Sequence, residues 1–518
     1  MSLDTKVKSR ILICLFDATA DKTLKKATTG TDIRLPIVGT KYKLFGIKRE
    51  DFFSVAIQYV LDNAPIFCTW HGSTPEIGIV KPEYFEIVTN NAVHIKKGRL
   101  YKLLLPWLGE GLLTSTGNKW HLHRRLITPA IFCIGNKWHL HRRLITPAFH
   151  FKILESFMDV FVEKTQTLLT GLDGMSTGEP FNIYPYITEC ALDVICETAM
   201  GVPINAMKNK ENPYVKSVYI ISELILGRFI KPIPEFIYKH TSQGRLFQRT
   251  LESLHQFSDK VIAERKEALR KSCKCVLERK SEDDIFGRKK RLSFLDMLLE
   301  ASEDGKIISD RELREEVNTF MFAGHDTTTA NICWNLFLLG NYPEIQELVF
   351  EEVHSILNDK LTPTSISELS EMKYLECVIK ETLRLYPSMP VIMRQLEQEI
   401  TLGEYKIPAT ANITLHIYAL HRSPEIYPNP NKFDPERFFP ENTQNRHPYA
   451  YVPFSAGARN CIGQKFALYE EKTILSSLIN RYKIVAIETP EKIRMAADLV
   501  LRPINGTVLK LERRVFGN

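Results

Sequence analysis

A chain of 518 residues exceeds one ordinary domain of about 100 to 200 residues, so it holds either several domains or one large, deeply cored enzyme fold. With 44% hydrophobic and 25% charged residues, and with Pro and Gly spread rather than clustered, it is a folded globule without a compositional linker. A net charge of +7 with acids and bases interleaved speaks against nucleic acid, and ten cysteines without zinc-type pairs read as reduced, buried thiols.

The N-terminal stretch, residues 1–34, is atypical. Its most apolar run, ILICLF (Ile11–Phe16), has six residues against the roughly 20 needed to span a bilayer, and its flanks are not those of a signal peptide. No membrane anchor is expected from it. PIFCTW (Pro65–Trp70) and EIGIV (Glu76–Val80) read as short strands.

Fourteen residues, Gly117–Ala130, then recur letter for letter as Gly135–Ala148, eighteen positions on. Two copies without a third exclude a solenoid. Each copy carries Trp and Arg four apart, Trp120 with Arg124 and Trp138 with Arg142, on one helix face. A Thr-Pro follows each as a cap and first helical residue, so each copy is a short helix plus the start of another. Identity even at exposed positions signals a recent duplication or, the favoured reading, an error in joining exons. The four histidines His121, His123, His139 and His141 have no carboxylate or thiol spaced for a metal and read as solvated.

Beyond the repeat, helical periodicity dominates. Ile153–Leu172 forms one amphipathic helix; Ile308–Gly340 forms a long one, about 50 Å, capped by Ser309 or Asp310; Ser367–Pro387 forms another, stopped by its proline. Between them, ELILGRFIKPIPEFIY (Glu223–Tyr238) is apolar enough to dip into a membrane or to be a buried helix and turn, and GRKKR (Gly287–Arg291) is a solvated loop. Tyr405–Leu420 and Lys483–Ile487 are strand-like. Asn429–Arg459, rich in Pro, Asn and aromatics, is a long ordered loop of the kind that carries function. The fold class is mainly α with a minor β part.

Chemistry concentrates in PFSAGARNCIGQKFA (Pro453–Ala467). Cys461 stands between a loop containing Gly457 and a helix opening at Gly463, where unpaired N–H groups and the helix dipole favour a thiolate. An axial thiolate on iron has that requirement. Gly457 and Gly463 let backbone approach a flat macrocycle, Phe454 shields the sulfur, and Arg459 is placed to pair with a propionate. A lone cysteine would be an ordinary core residue; F-x-x-G-x-R-x-C-x-G as a whole is far more specific.

With that loop the chain resembles the cytochrome P-450 superfamily, and two further motifs agree. ETLR matches the superfamily's E-x-x-R, with Glu381 and Arg384 on one helix face, and DPERF supplies Arg437, the second arginine of a buried ion-pair network. In AGHDTT, Ala323 and Thr327 share a face, Gly324 removes bulk where haem and oxygen would lie, and Asp326 and Thr327 supply an acid and a hydroxyl for proton relay. EVNTFMFAGHDTT (Glu316–Thr328) and TPAFHFKILESF (Thr146–Phe157) are similar to family 4, the fatty-acid and hydrocarbon hydroxylases.

The resemblance implies a single P-450 catalytic domain over residues 35–518, containing the eighteen-residue duplication within 117–148. It implies haem b ligated by Cys461, with Arg394 as a further cofactor contact, and dioxygen as oxidant. Electrons would come from NADPH through NADPH cytochrome P-450 reductase, with cytochrome b5 as a second donor, because no flavin or nicotinamide fingerprint is present. It further implies a lipophilic substrate, peripheral membrane contact and the cytosolic face of the endoplasmic reticulum. Where many members carry a glutamate esterified to a haem methyl, this chain has Ala323, so the haem is expected to be non-covalent. The superfamily's W-x-x-x-R reaches one haem propionate, and a haem has one such edge. The second copy continues as the family does, which favours Trp138 and Arg142; Arg124 follows GEGLLTSTG as naturally and stays open. Two rivals also stand: a reductase-independent haem-thiolate isomerase, and a catalytically inactive haem-binding or haem-free protein.

Overall fold

A computed structural model describes residues 47–71, 74–91, 93–127, 151–208, 212–230, 233–278, 293–302 and 308–514. The N-terminal segment, the second copy with Trp138, His139, His141 and Arg142, and the GRKKR run lie outside them. In chain order the principal elements are α1 (Arg49–Asp62), β1 (Ile66–His71), β2 (Thr74–Ile79), α2 (Pro82–Thr89), α3 (Gly117–Ile127), α4 (Phe151–Asp173), β3 (Phe181–Asn182), α5 (Tyr184–Thr198), α6 (Pro213–Ile230), α7 (Ser242–Glu278) and α8 (Asp310–Asn341). They continue with α9 (Pro343–Leu357), α10 (Lys373–Leu385), β4 (Val391–Gln395), β5 (Ile400–Leu402), β6 (Tyr405–Ile407), β7 (Asn412–His416), α11 (Gln464–Arg481), β8 (Tyr482–Ala486), β9 (Met495–Ala497), β10 (Leu501–Pro503) and β11 (Val508–Arg513). The chain is mainly helical with small sheets. Among the described residues no helix is long and apolar enough to cross a membrane.

Two compact units form. The first combines Met1–Leu100, Val391–Pro430 and His447–Asn460. Its sheet runs β1-β2-β7-β4, with β2 parallel to β7 and the other pairs antiparallel. Apolar side chains on these strands and on α2, among them Ile77, Ile79, Phe85, Val88, Ile413 and Leu415, are fully buried together. The run Tyr405–Leu420, strand-like throughout in sequence, is broken: Pro408 cannot donate to a ladder, Thr410 takes φ +71°, and β6 and β7 are separate strands followed by a helical turn, Ile417–Leu420.

The second unit holds Tyr101–Pro390, Asn431–Arg446 and Cys461–Asn518. Its axis is α8, 32 residues long, which begins with a capping box: Ser309 Oγ accepts from Glu312 N–H while the Glu312 carboxylate accepts from Ser309 N–H. Helix α8 is buried along most of its length although many of its residues are polar, and several of these bond inside the core. Asn318 Oδ1, for example, accepts from Ser258 Oγ of α7 at 2.6 Å. The predicted helix Ser367–Pro387 is two helices, Ile366–Glu371 and α10, parted at Met372. Glu352 of α9 causes the new start, its carboxylate accepting Tyr374 N–H at 2.7 Å and Leu375 N–H at 2.9 Å, as an anion does at a helix N-terminus. The long loop is ordered, with short helical turns at Pro435–Phe438, Pro440–Thr443, Pro448–Ala450 and Gly457–Arg459 that the sequence pattern did not resolve.

Candidate active site

In the second unit, Cys461 is exposed, whereas the other five cysteines with described side chains are buried. Gly463 is the N-cap of α11, and its N–H hydrogen-bonds the Cys461 sulfur. Desolvation pushes the Cys461 thiol above its ordinary value; the Gly463 N–H and the Arg124 guanidinium pull it back, and Glu471 adds to the rise. A cation and a helix N-terminus thus face the sulfur, the setting that stabilises a thiolate once a metal takes its charge.

Arg124 belongs to the first copy of the repeat, on α3, with Trp120 buried one turn before it. The helix is anchored on α8 by contacts that the sequence did not reveal. His123 is buried, not solvated: its Nδ1 lies 2.5 Å from Glu316 Oε1, while Glu316 Oε2 accepts Leu112 N–H at 3.1 Å. Lys119 adds Glu110, Glu312 and Glu315 at 3.1, 3.3 and 3.6 Å.

On α8, Ala323 is exposed and Thr327 half-buried, and Thr327 Oγ1 donates to Ala323 O at 2.7 Å. These two make an open face in the middle of a helix whose neighbouring residues are mostly buried. Gly324 has a different duty from the one read in the sequence: an added Cβ would lie 2.6 Å from Ile195 Cγ1, so its missing side chain admits α5 rather than a ligand. Asp326 is fully buried away from the open face and accepts from Arg502 Nη2 at 3.0 Å, a partner with no local signal in the sequence.

The ion-pair network is closed as its motif implies. Arg384 Nε and Nη2 donate to Glu381 Oε2 and Oε1 at 2.7 and 2.8 Å, Asp434 N–H reaches Oε1 at 2.9 Å, and Arg437 Nε stands 3.6 Å from it. Arg384 Nη2 also donates to Lys432 O at 3.1 Å, binding α10 to the following loop.

In the first unit, Gly457 takes φ +67° and an added Cβ would lie 1.8 Å from Thr89 O, so glycine is required by the close approach to α2. No such demand exists at Gly463, where an added Cβ meets nothing within 4 Å. Phe454 is half-buried. Arg459 Nε donates to Ile95 O at 3.0 Å, and Arg394, 1% exposed, pairs across a β-bridge with Lys97. Desolvation, then the neighbouring Arg394 and Arg459, hold Lys97 well below the ordinary lysine value. Three cations gathered in one place would be relieved by anionic groups, as the two carboxylates of a haem supply.

The second unit's residues therefore fit a haem: an exposed cysteine at a helix start, a basic residue facing its sulfur, and a helix face made of a methyl and a hydroxyl. They define a haem-thiolate oxygenase. The sequence model described as Cytochrome P450 matches residues 30–134 and 130–511, the two segments meeting between the copies of the repeat. Cytochrome P450 4c3 of Drosophila melanogaster is 44% identical over 458 residues, covering 86% of this chain and 81% of its own. Cytochrome P450 4V2 of Mus musculus is 43% identical over 499 residues (93% and 90%), and cytochrome P450 4c21 of Blattella germanica 41% over 482 (93% and 92%). The chain belongs to the cytochrome P450 family, and its activity is that of a monooxygenase that uses haem, dioxygen and an electron donor.

Proposed function

We propose that this monooxygenase hydroxylates a fatty acid, hydrocarbon or other lipophile of similar shape. The carrying observation is the thirteen-residue stretch Glu316–Thr328 with Ala323 and Thr327 on an open face at the middle of α8, beside relatives that bear family 4 names. Haem b, held by Cys461 without a covalent bond, supplies oxygen activation when bound. Arg124 or Arg142, Trp138, Arg394 and Arg459 would bind carboxylates, Phe454 would keep water from the sulfur, and Gly463 would leave room for the ring. Asp326 and Thr327 move protons to the reaction, and Ala323 offers only a methyl to the substrate side.

Electrons come from NADPH through NADPH cytochrome P-450 reductase, assisted by cytochrome b5, at the cytosolic face of the endoplasmic reticulum. A membrane contact is supported by exposed apolar side chains after α6: Phe236 is 73% exposed, with Ile237 and Ile233 beside it. The reduced carbon-monoxide difference spectrum tests the ligand. A thiolate-type Soret band that Cys461→Ser abolishes is expected, whereas an imidazole-type band or no haem would leave the inactive protein. Reductase-dependent hydroxylation of a fatty acid tests the reaction, and conversion without NADPH would establish the isomerase instead.

A further inference from the structure

Helix α3 carries its side chains on distinct faces, because positions four apart stack and neighbours diverge by about 100°. Lys119 and His123 share one face, and Trp120 and Arg124 share the next. The first face meets α8 in two rungs. Lys119 Nζ lies 3.3 Å from Glu312 and 3.6 Å from Glu315; four residues on from Lys119 and from Glu312, His123 Nδ1 lies 2.5 Å from Glu316 Oε1.

The rungs are unequal. The Lys119 side chain is 29% exposed, so its pairs are weak, whereas those of His123 and Glu316 are 5% and 2% exposed. Removing one partner of a dry pair strands the other, which makes the second rung the one that fixes α3. Glu316 uses its other oxygen as well: Oε2 accepts Leu112 N–H at 3.1 Å, from the loop that leads into α3. That loop lies close on α8, since an added Cβ at Gly111 would stand 2.5 Å from Thr319 Oγ1 and 2.7 Å from Glu315 O. One carboxylate therefore ties both α3 and its approach to the same turn of α8.

The second face of α3 is set by the first. Trp120 is buried, and Arg124 faces Cys461: against the burial that lowers the guanidinium, the sulfur raises it, and against the burial that raises the thiol, the guanidinium lowers it. A rotation of α3 that freed His123 from Glu316 would also swing Arg124 off the sulfur.

We propose that His123 is a positioning residue for the haem: paired with Glu316, it fixes the rotation of α3 and so holds Arg124 at the Cys461 sulfur. This role rests on the reading of Arg124, rather than Arg142, as the basic residue at the cofactor. A guanidinium beside the sulfur favours the reduced state, which carries one more negative charge. His123 thus tunes the haem through its neighbour on α3.

The test uses the haem-loaded chain. Three quantities are read: the midpoint potential of the haem, the rate of haem transfer to a competing apoprotein, and amide hydrogen exchange over residues 117–127. His123→Leu is expected to lower the potential, to speed exchange, and to speed transfer on the order of tenfold, the scale of one hydrogen bond to a charged group. Arg124→Met is expected to lower the potential alike while leaving exchange as it is. In the Arg124→Met background, His123→Leu is expected to add no further shift in potential, because the charge it positions is gone. His123→Gln, which still offers an N–H to Glu316, restores potential and transfer rate. His141→Leu, the same change in the second copy, is expected to alter none of the three.

An unchanged potential and transfer rate in His123→Leu, or an undiminished shift in the double variant, overturns the proposal. So does a shift in His141→Leu with a normal His123→Leu, which would seat the second copy on α8 instead. If His123→Leu fails to hold haem, Glu316→Gln decides alone, since it keeps the shape of the carboxyl with a weaker, neutral bond. A lower potential with faster exchange then supports the role of His123. A wild-type potential, or a raised one as the direct effect of removing a negative charge, overturns it. If Arg124→Met leaves potential and transfer rate untouched, Arg124 is not at the cofactor and the proposal falls with that reading. Impaired Arg124→Met with normal His123 variants removes only the role of His123.

Discussion

Single side chains decide what the central helix can do. Gly324 faces Ile195 at a distance no Cβ could keep, so Gly324→Ala forces Ile195 or α5 to shift. Overpacking of this kind costs about 1 to 3 kcal/mol. Urea unfolding should show that loss, and in an Ile195→Ala background the glycine substitution should cost less than half as much; equal costs would mean that Ile195 is not the obstacle. On α11, Glu470 and Glu471 are both buried, and three of their four oxygens have no partner among the described residues. Burial, opposed by the Asn331 side chain, pushes Glu471 up to about 8, far above the unfolded value of 4.5. The folded chain therefore keeps a proton between those values that the unfolded chain releases, and its stability falls as pH rises through that window, by up to roughly 1.4 kcal/mol per pH unit. Glu471→Gln removes the titration, so the variant's unfolding free energy, measured in urea at several pH values from about 4.5 to 8, should decline less steeply than the wild type's. Parallel slopes would show that the group is ionised throughout.

Elements show why some features were legible in sequence and others were not. Local signals carried well: Ser309, one of two candidate caps, is the N-cap of α8, Gly463 marked the start of α11, and the i, i+3 pair Glu381–Arg384 is bonded as spacing requires. Contacts between distant segments left no local trace. Glu352 breaking the run before α10, His123 meeting Glu316, and Arg502 meeting Asp326 each join residues more than twenty apart. Gly324 was legible as a necessity and not as a reason, because nothing in AGHDTT indicates whether ligand or helix lies above it. The repeat is the clearest test at this scale. Deleting eighteen residues gives the same shortened chain whichever copy is removed, and that chain still has one Trp, one His and one Arg for every contact α3 makes. Eighteen fewer residues between α3 and α4 lower the closure cost by an amount of order 1 kcal/mol. The shortened chain should keep the wild-type reduced carbon-monoxide spectrum and unfold at an equal or higher urea concentration. Loss of haem on deletion would show that both copies are needed.

At the scale of the whole molecule, the thiolate loop and the long helix made the family legible because each packs several chemical requirements into a dozen adjacent residues. The first unit's basic trio was half-legible: Arg394 and Arg459 were expected at the cofactor, whereas Lys97, brought to them by strand pairing, was not. An ester to a haem methyl needs a carboxylate on the open face of α8, and Ala323 offers a methyl there. Cys461, as the proposed iron ligand, would give coordination through sulfur rather than a bond to the porphyrin carbon frame. All the haem should therefore pass into acidified organic solvent and leave a colourless polypeptide, and the pyridine haemochrome of the extract should be that of unmodified haem b. Haem absorbance that stays with the polypeptide would identify an attachment point elsewhere. Because a ring that is not tethered is held by coordination at its iron, packing, hydrogen bonds and basic side chains, Lys97→Met should speed haem transfer to a competing apoprotein without altering the thiolate-type Soret band. An unchanged transfer rate would show that Arg394 and Arg459 suffice.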